Sequence, residues 1–216
     1  MLVDELEKVR KRFFSNAPEQ VKKNVTQSTN ELIESGIATG LAAGDKAPDF
    51  TLKNAKGEKI TLSEELKKGR VVLSFYRGGW CPYCNLELKA YEQIIDEIES
   101  EGAQLMAISP QNPDESLTTQ EKNNLSYPVL SDSTLEVIKS YNLLFELPDY
   151  LITTYKDDFN IDLQQFHDDH QNPWKLPVAG TLVIDQDRTI LKSSANADYM
   201  YRTEPKDILM YLKSAK

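Results

Sequence analysis

Apolar positions recur along this chain at two different periods, and the change from one to the other marks its organisation. Through residues 1–43 they come at three and four: Leu2, Leu6, Val9 and Phe13, then Val21, Val25, Leu32 and Ile33. That spacing predicts two helices separated at Pro18. The arm they form is expected to pack on the domain that follows; a dimer surface or a cover for the reactive site are the other two readings. Gly40, Gly44 and Pro48 mark the junction to the rest of the chain.

From residue 44 the pattern is that of short strands alternating with helices. Asp49–Leu52 and Glu58–Leu62 predict a hairpin around Asn54-Ala55-Lys56-Gly57, and Ser63 caps a turn of helix before Gly69. Val71 to Tyr76 is a near-continuous apolar run, as expected of a central strand covered on both faces. Leu86, Leu88, Tyr91, Ile94, Ile95 and Ile98 form one helical stripe ending at Gly102. Leu105–Ser109 reads as the next strand, Pro113 opens a helix, Tyr127–Leu130 is a short strand, and Ser133 caps a helix through Ile138. Thr181–Asp185 and Thr189–Lys192 pair around Gln186-Asp187-Arg188, and a last helix starts at Glu204-Pro205 and runs to Leu212. The class is α/β, with one domain over 44–216 and the helical arm over 1–43.

Residues 144–176 fit this alternation poorly and read as an insert. Leu147–Tyr155 suggests a helix and Gln164–Trp174 a polar loop. Phe145, Tyr150, Phe159 and Trp174 are candidate walls of a substrate entrance, or else a satellite apolar cluster.

Composition narrows the function. Of 216 residues, 40% are hydrophobic and 27% charged, an ordinary globular balance that removes the disordered and fibrous classes. A net charge of −9 argues against nucleic acid and anionic membrane as partners. Acidic residues come early in Met1-Leu2-Val3-Asp4-Glu5, which is unlike a secretory leader, and no apolar run approaches the roughly 20 residues of a membrane span. The expected location is the cytoplasm, where a cysteine pair is more often catalytic than structural.

Both cysteines of the chain fall in one stretch, Gly78-Gly79-Trp80-Cys81-Pro82-Tyr83-Cys84, between the central strand and the long helix. Strand, tight turn and helix opening put Cys81 at the start of the helix, where unpaired N–H groups and the helix dipole stabilise a thiolate. Pro82 suits the first helical position, having no N–H to leave unpaired. Cys84, three residues on, shares the face of that first turn and could close a disulfide with Cys81. Cys81 is the expected nucleophile. Arg77 would add positive charge beside it or hold substrate oxygens, and Trp80 is placed with it as a substrate contact. The competing reading is a structural zinc site of Cys81, Cys84, His167 and His170, although the histidines are one residue closer than the usual spacing. Asn85, not His, follows Cys84, which excludes a c-type haem, and an iron–sulfur cluster would want four cysteines.

Phe75-Tyr76-Arg77-Gly78-Gly79-Trp80-Cys81-Pro82-Tyr83-Cys84, Ile108-Ser109-Pro110-Gln111, Tyr127–Asp132 and Leu182–Asp185 resemble the AhpC/TSA peroxiredoxin-like family of the thioredoxin superfamily. The resemblance runs from about Gly44 to the C-terminus. It implies a thioredoxin-like fold, a central mixed sheet flanked by helices, and reduction of hydrogen peroxide or alkyl hydroperoxides. By the same resemblance Cys81 is the peroxidatic cysteine and Cys84 its resolving partner, with no cofactor, a thioredoxin- or glutaredoxin-like reductant, and a homodimer as one assembly. Thiol–disulfide exchange on protein substrates is the neighbouring activity. Two positions depart from the family pattern: Gly78 stands where a Thr or Ser usually precedes the cysteine by three, and Ala179 stands where an arginine, or in thioredoxins a cis-proline, precedes the strand ending in Asp185, with Pro177 two residues earlier.

Overall fold

A computed structural model describes residues 1–168 and 171–214. The arm forms α1 (Leu2–Asn16) and α2 (Glu19–Ser35), separated at Pro18 as the spacing predicts. The first hairpin is β1 (Thr51–Asn54) and β2 (Lys59–Thr61), followed by the short α3 (Leu62–Leu66). The central stretch gives β3 (Arg70–Phe75), α4 (Pro82–Glu92) and α5 (Ile95–Ser100). Then come β4 (Ala103–Ser109), α6 (Pro113–Asn123), β5 (Val129–Ser131) and α7 (Glu136–Ser140). The segment after it holds β6 (Leu144–Glu146), α8 (Asp149–Thr153) and β7 (Lys175–Pro177). The chain closes with β8 (Gly180–Ile184), β9 (Ile190–Ala195) and α9 (Pro205–Ser214).

Among the described residues the main sheet has seven strands in the order β2-β1-β5-β4-β3-β8-β9. β3, β4 and β5 run parallel, while β8, β9, β1 and β2 add antiparallel pairs, so the sheet is mixed. The apolar run of β3 is explained by its place. Val71, Leu73 and Phe75 face one apolar cluster with Leu62, Leu66, Ile138 and Tyr141, whereas Val72 and Tyr76 face the other with Leu88, Tyr91 and Ile98. A fully buried side chain of this size contributes about 1.5–3 kcal/mol as an upper figure, so the strand carrying the Gly-Gly turn is among the most firmly held parts of the molecule.

Three local expectations are corrected. The long stripe after Cys81 is two helices, because the chain turns more tightly at Gln93–Ile94 (Ile94 N–H to Tyr91 C=O, 3.0 Å), which leaves Ile94, Ile95 and Ile98 all buried. Ser133 does not cap the helix before Ile138. The buried Asp132 organises that turn instead, its carboxylate accepting from Ile138 N–H at 2.7 Å. In the 144–176 segment, β6 and β7 pair antiparallel as a small separate ribbon, which polar-loop composition did not signal. Above it α8 runs into a π-helical turn, Thr154–Asp158, and a 3-10 turn spans Leu163–Gln165.

Candidate active site

The site is built where β3 ends and α4 begins. Cys81 is the N-cap residue of α4 in extended conformation, Pro82 is the first helical residue, and Cys84 sits one turn in. Both sulfurs are free thiols and essentially unexposed. The turn before them is pinned by side chains from elsewhere: Gly79 N–H donates to Gln111 Oε1 (2.8 Å), and Asn85 Nδ2 donates to Gly79 C=O (2.8 Å). Neither glycine has room for a side chain unless a neighbour shifts. A Cβ at Gly79 would lie 2.3 Å from Thr119 Oγ1, and one at Gly78, whose φ is +157°, would lie 2.3 Å from the indole nitrogen of Trp80. The place of the family hydroxyl is therefore filled by an indole ring.

Electrostatics separate the two thiols. Burial alone would push the Cys81 pKa up. The hydrogen bond from the Cys84 thiol and the charges of Arg77 and Arg202 outweigh it and bring Cys81 to about 6. For Cys84 burial comes first and is reinforced by the hydrogen bond and negative charge of Cys81, so its pKa rises well above the ordinary thiol value. One proton is thus shared by a pair in which Cys81 is the thiolate and Cys84 the donor.

Arg77 is buried, donates to the Tyr155 hydroxyl, and lies over the Tyr199 ring at 3.9 Å and the Trp80 ring at 5.2 Å. Although burial opposes its charge, Tyr155 and Cys81 hold it ionised. Trp80, edge-on to Tyr155 at 5.7 Å, stands beside it. Sequence reading missed a second guanidinium. Arg202, in the segment between β9 and α9, donates to Cys84 Sγ at 3.5 Å and to Glu87 at 2.7 Å; both members of that ion pair are buried. Burial, partly offset by Arg202, raises the Glu87 carboxyl to about 7. One signal was available: Glu87 is a lone acid on the buried face of α4, three residues after Cys84 and beside Leu88 and Tyr91. Arg202 carried none. Ala179 and Arg202 line one cavity of about 130 Å³, so the small residue where the family has an arginine leaves room that Arg202 approaches from another segment.

Above Cys81 lies a cavity of about 280 Å³ whose lining includes Arg77, Trp80, Tyr83, Tyr155, Phe159 and Tyr199. Of the four wall candidates from the 144–176 segment, Phe159 lines it. Trp174 packs behind, edge-on to Tyr155 at 6.5 Å; Tyr150 hydrogen-bonds Glu31 of α2, and Phe145 lines a separate small pocket. The aromatic of this segment that meets Arg77 is Tyr155, in the π-helical turn, a form that recurs at functional sites.

The zinc reading rests in part on a histidine outside the described residues. His167 is buried with Nδ1 2.7 Å from the Pro173 carbonyl, and His170 lies outside the described residues. Among the described residues no three His, Cys, Asp or Glu side chains group as a metal site, and the two thiols face two guanidinium groups, which oppose a dication.

Residues 43–193 match the AhpC/TSA family. The chain belongs to that family. It is 35% identical over 104 residues to the thiol-disulfide oxidoreductase ResA of Halalkalibacterium halodurans, covering 47% of this chain and 57% of that protein. It is 29% identical over 103 residues to peroxiredoxin Bcp of Escherichia coli K12, covering 48% of this chain and 65% of that protein. The chain thus spans under two thirds of the length of these relatives. The crystal structure of peroxidoxin BcpB from Mycobacterium tuberculosis superposes with a TM-score of 0.64 at 23% identity over 82% of this chain and 99% of that one, which establishes the thioredoxin-like fold of this AhpC/TSA member. No helix among its described residues is long and apolar enough to cross a membrane.

Proposed function

We propose that this AhpC/TSA protein is a thiol peroxidase that reduces hydrogen peroxide or alkyl hydroperoxides, with Cys81 as nucleophile, Cys84 as resolving cysteine, and Arg77 and Trp80 as substrate contacts. The observation that carries the reading is a buried thiol with a pKa near 6 in the lining of a cavity of about 280 Å³, beside a second thiol that stays protonated. The Cys81 thiolate attacks the terminal oxygen of ROOH, the O–O bond breaks, sulfur is oxidised to the sulfenic acid, and RO⁻ leaves as ROH after taking a proton. Cys84 then attacks that sulfur, forming the disulfide and releasing water with the proton that Cys84 gives up. A dithiol reductant of thioredoxin or glutaredoxin type reopens the disulfide and is itself oxidised.

The likeness to ResA and the Cys-Pro-Tyr-Cys motif support a second reading, disulfide exchange with a protein substrate. The cavity favours the peroxidase, because Cys81, 1% exposed, lines a space of about 280 Å³ that admits a small hydroperoxide, whereas exchange with any folded protein, a protein reductant included, needs the pair to become accessible. Stopped-flow fluorescence, with Trp80 as reporter, separates the two. Reduced protein mixed with hydrogen peroxide or an organic hydroperoxide is expected to respond far faster than a free thiol. That response disappears in Cys81→Ser, while Cys84→Ser accumulates a trappable sulfenic acid. A rate no better than that of a free thiol with either peroxide would leave disulfide exchange as the function.

A further inference from the structure

Hydrogen peroxide does not call for the cavity found over Cys81. It is little larger than water, whose share of liquid volume is about 30 Å³, and it is polar at both ends. The space here is about 280 Å³. An apolar cavity of about 150 Å³ is enough to take benzene, so this one has room for an aryl or branched alkyl group.

Its outer wall includes Val9 and Phe13, one helical turn apart on α1, which lies before the family-matching stretch of 43–193. The Phe13 ring meets Phe159 edge-on at 6.3 Å, so the arm closes against the 144–176 segment. The wall is firmly placed. Leu2 N–H and Val3 N–H both donate to the Glu204 carboxylate at 3.1 Å, Leu2 and Leu6 are buried in the cluster that contains Leu88 and Tyr91, and Asn24 of α2 donates to Thr154 at 2.8 Å. At the inner end, Arg77, Trp80 and Tyr83 line the same cavity, and their Nε, Nε1 and Oη atoms are buried without a hydrogen-bond partner. Buried donors left unpaired are rare, and these three belong to side chains that share the lining of the cavity with Cys81.

We infer that α1 is the specificity wall of this site: Val9 and Phe13 hold the apolar substituent of an organic hydroperoxide while Arg77, Trp80 and Tyr83 receive its O–O group at Cys81. The reaction in this inference rests on the peroxidase reading, whereas the apolar binding does not. Two measurements keep them apart. The first is the ratio of second-order rate constants for cumene hydroperoxide and hydrogen peroxide. The wild type is expected to favour the organic substrate; Phe13→Ala lowers the ratio about tenfold, in the range for lost apolar pocket contacts, Val9→Ala lowers it less, and Phe13→Leu retains most of it. The rate with hydrogen peroxide is the denominator, so a change in Cys81 reactivity common to both peroxides cancels in the ratio.

The second measurement is a Trp80 fluorescence titration of Cys81→Ser with 2-phenyl-2-propanol, the unreactive alcohol that reduction of cumene hydroperoxide leaves, with and without Phe13→Ala or Val9→Ala. Weaker binding in Phe13→Ala supports the wall, and Val9→Ala, with a smaller loss, serves if Phe13→Ala does not fold. An unchanged ratio in both alanine variants, a wild type that favours hydrogen peroxide, or probe binding indifferent to Phe13 overturns the inference. If neither peroxide reacts faster than with a free thiol, the peroxidase reading fails while the probe titration still decides the role of α1.

Discussion

Below the cavity, the end of β3 and the first turn of α4 hold Arg77, Cys81 and Cys84 within eight consecutive residues; above it, Val9 and Phe13, Tyr155 and Phe159, and Tyr199 and Met200 arrive from three distant segments. The floor contains the charges and the reactive sulfur, and the roof is largely apolar and aromatic. A thiolate at a floor of this kind gains from nearby guanidinium groups, and a roof that excludes water strengthens that interaction by lowering the local dielectric. On the proposed peroxidase reading, the difference teaches that rate and selectivity belong to different parts of the chain. Floor substitutions should change reactivity toward every peroxide alike, whereas roof substitutions should change the ratio between peroxides.

The largest expected effect is at the floor. Cys81→Ser should lower the rate with any peroxide by at least about a thousandfold, as loss of a nucleophile does; a loss confined to one peroxide would break the division. Next is Arg202→Gln, which leaves Glu87 buried without its counter-charge and should destabilise the fold by about 3–5 kcal/mol in urea unfolding. Glu87 also sets a slope in stability. Its folded pKa, near 7, lies above the ordinary carboxyl value, so stability is full in acid and falls as pH rises through about 7. Glu87→Gln should flatten that slope.

A smaller effect is expected where floor and roof meet. Gly78→Ser restores the family hydroxyl but puts a Cβ into the Trp80 indole, so it should cost about 1–3 kcal/mol and shift the tryptophan emission. A stable, faster Gly78→Ser enzyme would show that the indole yields easily. The smallest concerns protonation. The peroxide rate should fall about tenfold per unit below pH 6 and level off above it, because only the thiolate reacts. Arg77→Met should move that midpoint upward and lower the rate at pH 7 by about tenfold, which a pH–rate profile would read.

The sheet, the hairpins and the Cys81–Pro82–Cys84 helix opening were legible because each depends on neighbours in sequence: an apolar run of six, a turn of three, a proline at a helix start. Legibility failed where the cause was distant. Ser133 looked like a cap, but Asp132 reaches Ile138 only because β5 and α7 hold that turn. The one-helix reading of 82–101 failed since burial of three isoleucines redirects the chain at Ile94. Phe145, Tyr150 and Trp174 are as aromatic as Tyr155, and composition alone could not tell which of them would meet Arg77.

By itself, then, the sequence determined the α/β class, the two-helix arm and the identity of the reactive turn, since backbone periodicity and helix-start chemistry act over a few residues. The helix start also pointed to Cys81 as the nucleophile, but only the tertiary structure decided which side-chain charges act on its sulfur and what encloses it. The charges that depress Cys81 include Arg202, 121 positions away, and the walls over it come from residues as far apart as Val9 and Met200. Coulombic attraction and desolvation depend on distance in space, not along the chain, and only folding sets that distance.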